Sequence, residues 1–371
     1  MFRWSSILTL VLAAAALGQP SAEQLLKQAI SEHSAGQFDA AIRDYRAYLK
    51  LRPSAVDARS NLGAALAREG HYAEAIVEYR EALKLSPRNT PIWVNLAIAY
   101  YKSGDIAKAA GELGAIHAQH PDNKQAMLLL ADCWLRQGSD GKVIDLLTPF
   151  ESAADPAIDY MLGTALLRAK QTGRGQRVID RILRHGDTAE SRLLLGTAKY
   201  FAHEYPGAIE DLRKAVALNP HLPEANSYLG LSFIEMGDSP SARAAFEREL
   251  EVNPNDFESN LRLAALVKEA GDYDRALHLL DHALLVRPGD LGALYQVGAV
   301  QLAANRLEPA RATLERILKQ APDFTEAHVS LAQVYYRLKR KEDGDRERVI
   351  IQKLKIQQDA ARSAKPASTH Q

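Results

Sequence analysis

Val56–Asn89 reads VDARSNLGAALAREGHYAEAIVEYREALKLSPRN, and the residues after it begin the same pattern again. Leu62, Gly63 and Leu66 fall at helical spacing, Gly70 interrupts, and Tyr72, Ala75, Ile76, Tyr79, Ala82 and Leu83 resume the period before Pro87. Apolar residues three and four apart mark one buried face of a helix. Glycine takes the positive φ of a tight turn at no steric cost. Proline has no amide hydrogen to continue a helix. The stretch therefore reads as helix, tight turn, helix, stop.

The unit recurs along the chain. Ala29, Gly63, Ala97, Ala131, Gly163, Gly196, Gly230, Ala264, Gly298 and Ala332 are separated by steps of 34, 34, 34, 32, 33, 34, 34, 34 and 34 residues. Pro53, Pro87 and Pro121 keep the same beat, as do Pro220, Pro254, Pro288 and Pro322. Gly36, Gly70, Gly104, Gly138, Gly237 and Gly271 mark the turn inside each unit, and Asn305 stands in that place once. Asparagine is the next best residue for left-handed backbone. About ten copies of a 34-residue unit stack into a solenoid, because each unit covers its oily face only with its neighbours.

On these residues the chain resembles a tetratricopeptide repeat (TPR) protein from roughly Ala22 to Ala361. The resemblance implies an all-α, right-handed superhelical solenoid of antiparallel helix pairs at 22–341, closed by a C-terminal capping helix at 342–361. Val349, Ile350, Ile351 and Leu354 would cover the last repeat, and a polar tail follows at 362–371. Between Lys124 and Thr188 the turn and proline signals fade and Val143 and Gly175 replace the usual alanine. A local change of superhelix geometry is expected there. Tyr45, Tyr79, Leu113, Phe246 and Leu280 share one repeat position and read as core.

Lysine plus arginine (46) balances aspartate plus glutamate (46), which argues against nucleic-acid binding, a function that rests on phosphate neutralisation. Arg3 followed by apolar residues from Ile7 to Leu17 and small residues around Gly18 reads as a cleavable secretory signal over 1–18, with cleavage at 18–22. The apolar run is too short to span a bilayer comfortably. The mature chain is expected to be extracytoplasmic, periplasmic or secreted, without a stable membrane span; an N-terminal membrane anchor is the alternative. Cys133 is alone and reads as a buried structural thiol. No nucleophile elbow, completed P-loop or paired-histidine metal motif is present. His278 and His282, one helical turn apart, read as surface histidines, so no catalytic residue, metal or cofactor is expected.

In the family, the first helix of each unit lines the concave face. Its thirteenth place here runs Ser34, Arg68, Lys102, Arg136, Arg168, Phe201, Glu235, Glu269, Ala303 and Arg337. Four successive cations are followed by two acids, with Tyr101, Tyr160, Tyr200 and Phe201 beside the cations and Glu224, Glu258 and Glu326 joining the acids. Such a face suits an extended protein or peptide carrying acidic residues toward the front half. Asn61 and Asn95 occupy the central asparagine place of the carboxylate clamp of some family members, but Leu26, Ile30 and Pro91 cannot hold a carboxylate. Later units put Leu129, Met161, Leu194, Tyr228 and Arg262 at that place, so no asparagine ladder forms. The expected function is a non-catalytic scaffold or adaptor. The alternatives are an accessory subunit presenting a substrate to a separate envelope enzyme, a glycosyltransferase or peptidase, and a pilus or outer-membrane assembly factor.

Overall fold

The computed structural model describes residues 20–153, 155–184 and 186–363, and the expected signal segment and residues 364–371 lie outside them. Among the described residues every regular element is a helix. In a first compact unit, ending at Ala99, α1 (Ala22–Ser34) pairs with α2 (Phe38–Leu51) and α3 (Val56–Arg68) with α4 (Tyr72–Leu85). The next helix, α5 (Thr90–Lys102), contains the boundary, and Tyr100 starts the second unit.

The second unit continues through α6 (Ile106–Gln119), α7 (Lys124–Arg136), α8 (Asp140–Leu147), α9 (Pro156–Arg168), α10 (Thr172–Leu183), α11 (Ala189–Phe201) and α12 (Tyr205–Leu218). It then adds α13 (Ala225–Glu235), α14 (Ser239–Val252), α15 (Phe257–Glu269), α16 (Tyr273–Val286), α17 (Leu291–Ala303), α18 (Leu307–Gln320), α19 (Thr325–Arg337) and α20 (Lys341–Ser363). Within each unit sequential helices pack as pairs, and neighbouring pairs pack on one another.

Turn chemistry explains where the first helices stop. Gly70 has φ 79°, which lets the next amide, His71 N–H, donate back to Leu66 O at 2.9 Å and close the helix end. The same left-handed place recurs at each expected glycine and at Asn305, with φ 60°. Lys170 (φ 58°), His203 (φ 61°) and Lys339 (φ 62°) hold it too, although nothing about the two lysine side chains favours it.

Within a pair, the small residue of the first helix meets a large one sixteen positions later. A Cβ on Gly63 would stand 2.8 Å from the Tyr79 ring, and one on Gly230 would stand 2.5 Å from the Phe246 ring. Where the partner is Leu280, alanine fits at Ala264; both are buried. Tyr45, Tyr79 and Phe246 are likewise buried.

The faded units are irregular in one place. The second helix α8 ends after 8 residues and runs into a 3-10 turn, Thr148–Ala153. Pro149 follows directly, and the Ile144 carbonyl accepts both the Thr148 backbone N–H and, at 2.6 Å, its hydroxyl. Val143 and Gly175 are buried where alanine stands elsewhere.

The second unit curls back on itself. Helix α16 reaches α6. Arg136 Nη1 donates to Asn253 Oδ1 at 2.8 Å, and Arg287 Nε donates to the Arg136 carbonyl at 3.0 Å. At the far end α20 lies on α19, where His328 Nδ1 meets Glu347 Oε2 at 2.5 Å and Nε2 meets Pro322 O at 2.9 Å.

Candidate functional site

Each first helix ends on its thirteenth residue except α13, which ends on its eleventh, Glu235, so the left-handed turn fixes where that side chain leaves the backbone. In the first unit Arg68 is exposed. Asn61 is half-buried and forms a side-chain hydrogen bond with the Tyr45 hydroxyl, and Asn95 is half-buried on α5.

In the second unit the charged series divides. Lys102, Glu235 and Glu269 are exposed. Arg136 and Arg168 are not free for a partner. Arg136 Nε donates to Asp132 Oδ2 at 2.8 Å, and its guanidinium stacks 5.1 Å from the centre of the Tyr101 ring. Tyr101 donates its hydroxyl proton to the same Asp132 oxygen at 2.5 Å. Burial and this carboxylate push the tyrosine far above its ordinary range.

Arg168 is satisfied on every side. Its Nε donates to the Tyr228 hydroxyl at 2.9 Å, Nη1 to Leu135 O at 2.9 Å, and Nη2 pairs with Glu224 Oε1 at 2.9 Å. Repeat position alone puts Arg168 and Glu224 on one face, each open to a partner. The curl of the second unit brings them together instead, because a buried charge without a counter-charge costs several kcal/mol, roughly.

Glu224 sits at φ 70° just before α13, and its amide donates to Glu249 Oε1 at 2.7 Å; Ser227 N–H reaches Oε2 at 3.3 Å. Glu249 thus caps α13 from the neighbouring α14 while fully buried. Burial, reinforced by the nearby Asp256 charge, pushes its carboxyl up to about 8. The Glu224 carboxyl is also raised, by burial first, with Arg168 opposing. Nothing in the local sequence around Glu249 announces this role, since it looks like one more surface glutamate of a second helix.

Tyr200 and Phe201 are half-buried and pack edge to face at 5.4 Å, with Tyr228 at 5.8 and 6.2 Å. With Arg168, Glu224, Phe257 and Arg287 they surround a cavity of about 370 Å³. Cys133 is buried, and burial with Asp132 nearby pushes its thiol up to about 12, which leaves it inert. His278 and His282 lie 4.8 Å apart between ring centres, and His282 Nδ1 faces Asn255 Oδ1 at 3.2 Å.

Comparison with known proteins identifies the repeat type. One tetratricopeptide repeat family description matches residues 26–90, 94–142, 160–223, 193–256 and 228–284, and another matches 66–116 and 268–334. The chain belongs to the tetratricopeptide repeat family. No curated protein matches it. Among solved structures, a MamA RS-1 ArsTM double mutant is similar at 20% identity and TM-score 0.44, covering 47% of this chain and 98% of that one. MamA 41-end from Desulfovibrio magneticus RS-1 gives 21% identity and 0.44, covering 47% and 98%. Yeast Tom70 gives 17% identity and 0.38, covering 90% and 76%. Among the described residues no helix is long and apolar enough to cross a membrane. Proteins of this repeat family are typically protein-binding scaffolds without catalytic activity.

Proposed function

We propose that this TPR protein is a non-catalytic scaffold that holds an extended, acidic segment of a protein partner along the inner ends of its first helices. The observation that carries the reading is the exposure of Lys102, Glu235 and Glu269 at one repeat place within the second unit; in the first unit Arg68 is exposed at its own copy of that place. Exposed charges steer encounter and set register more than they add affinity. Tyr101, Arg136 and Arg168 serve the scaffold, and Asn61 and Asn95 offer local hydrogen bonds to a partner backbone. The setting is extracytoplasmic, a reading supported by the composition of Met1 to Gly18.

Charge reversal tests the proposal. Arg68→Glu with Lys102→Glu is expected to weaken capture of the native partner at least tenfold at low salt, with helicity and melting unchanged. Equal capture by the reversed and wild-type proteins contradicts it.

A further inference from the structure

The two histidines of α16 are the feature of the second unit that the scaffold reading leaves unused. His278 and His282 stand one turn apart on a helix that the buried Leu279, Leu280 and Ala283 fix in place. Residues four apart on a helix are neighbours on one face. Their rings do not stack: the centres are 4.8 Å apart and the planes are inclined by 54°. A metal ion about 2.0–2.1 Å from one nitrogen of each ring lies roughly 3.2 Å from each ring centre, so bond angles from square to tetrahedral set the centres about 4.5–5.2 Å apart. The observed spacing falls inside that range.

A second observation concerns what orients His282. Its Nδ1 faces Asn255 Oδ1 at 3.2 Å, across from the turn that precedes α15. The amide oxygen only accepts, so Nδ1 carries the hydrogen and Nε2 keeps the lone pair that a metal needs. Asn255 is itself confined, because a Cβ on Gly104, in the turn before α6, would stand 2.6 Å from its Nδ2. Metal-binding histidines characteristically donate their other ring N–H to a fixed oxygen, which sets both tautomer and ring direction. Here the oxygen comes from a different repeat, so the stacking of the second unit aims the ring.

We infer that His278 and His282 bind one late first-row divalent metal ion, Cu2+ most tightly, with His282 Nε2 as one ligand and Asn255 as the residue that positions it. Among the described residues no cluster of three or more histidine, cysteine or acidic side chains suited to a metal ion is found. Structural zinc takes four protein ligands, whereas Cu2+ and Ni2+ accept two imidazoles in a tetragonal shell completed by water. His278 is exposed, so solvent reaches the remaining positions. Mg2+ and Ca2+ demand oxygen ligands and do not suit the pair. Spacing along the chain made these residues surface histidines; the ring geometry and the Asn255 contact make them a chelate. The site shares no residue with the proposed partner face.

Titration calorimetry of the untagged full chain with Ni2+, and electron paramagnetic resonance with Cu2+, read the site. One ion per chain is expected, with two nitrogen couplings on copper, Cu2+ bound more tightly than Ni2+, and no uptake of Mg2+ or Ca2+. His278→Gln is expected to weaken Ni2+ at least tenfold and to leave a single nitrogen coupling. Should that variant fail to fold by circular dichroism, His282→Gln takes its place with the same expected loss. Asn255→Leu, which removes the acceptor at similar size, is expected to weaken Ni2+ severalfold, and Asn255→Asp, which keeps an oxygen there, to retain wild-type affinity. Unchanged Ni2+ affinity in His278→Gln would mark the ion as adventitious and overturn the inference, as would one nitrogen on wild-type copper or no one-to-one Ni2+ binding up to about 1 mM. Equal losses in Asn255→Leu and Asn255→Asp would overturn the role of Asn255.

Discussion

Lys170 and Lys339 hold with a side chain the left-handed turn that glycine holds in most other units, and both are exposed. An L-residue pays about 1–2 kcal/mol there, of which glycine returns roughly 0.5–1 through its greater freedom when unfolded. Lys170→Gly and Lys339→Gly are each expected to stabilise the protein by about 0.5–1 kcal/mol, read from denaturant midpoints; no gain contradicts this. Glu249 makes a pH-dependent contribution of definite sign. Its carboxyl is raised from 4.5 to about 8 on folding, so the folded chain keeps a proton that the unfolded chain releases over that window. Stability is therefore lost as pH rises from about 5 to 8. The melting temperature of wild type should fall more steeply across that range than that of Glu249→Gln. Parallel slopes would mean the carboxyl is not titrating there. The glycine turns were legible in the sequence because one residue type signals one backbone conformation. Lys170, His203 and Lys339 were silent, since neighbouring pairs impose the turn on them.

Helix pairs are specified by the small-to-large contact across them. Gly230→Ala drives a Cβ to 2.5 Å from the Phe246 ring and is expected to cost about 1–3 kcal/mol. The double change Gly230→Ala with Phe246→Leu recreates the Ala264 and Leu280 combination found one unit later. It should recover at least about 1 kcal/mol relative to the sum of the single changes; strict additivity in the cycle contradicts the contact. Between elements, Arg168→Met strands Glu224 beside Tyr228 and is expected to cost about 3–5 kcal/mol, with Glu224→Gln restoring part of the loss. The periodic residues made these helices and their partners readable from the sequence. The partners of Arg136 and Arg168 were not, because Asn253 and Tyr228 lie 117 and 60 residues away and depend on how tightly the second unit curls. The short α8 and its Pro149 stop were signalled only as a fading of the pattern.

At the scale of the whole molecule, stacked helix pairs build a scaffold in which inward charges divide into two sets. One set braces the second unit from within, and the other stays exposed, where the proposed function puts a partner. Repeat arrays suit this division, because each unit needs only its neighbours to fold and its remaining face is unconstrained. The solenoid class was legible from the 34-residue beat alone. Which charges belong to which set was not, since burial and exposure follow from the curl and not from repeat position. Site-specific photocrosslinking in cells tests the division most directly, with the probe placed at Arg68, Lys102, Glu235 or Glu269 and, as outer controls, at the exposed second-helix residues Val77 and Leu218. The account predicts one common partner crosslinked from the four inner positions and none from the two outer ones. Equal labelling from Val77 and Leu218, or no crosslink from any inner position, would contradict it.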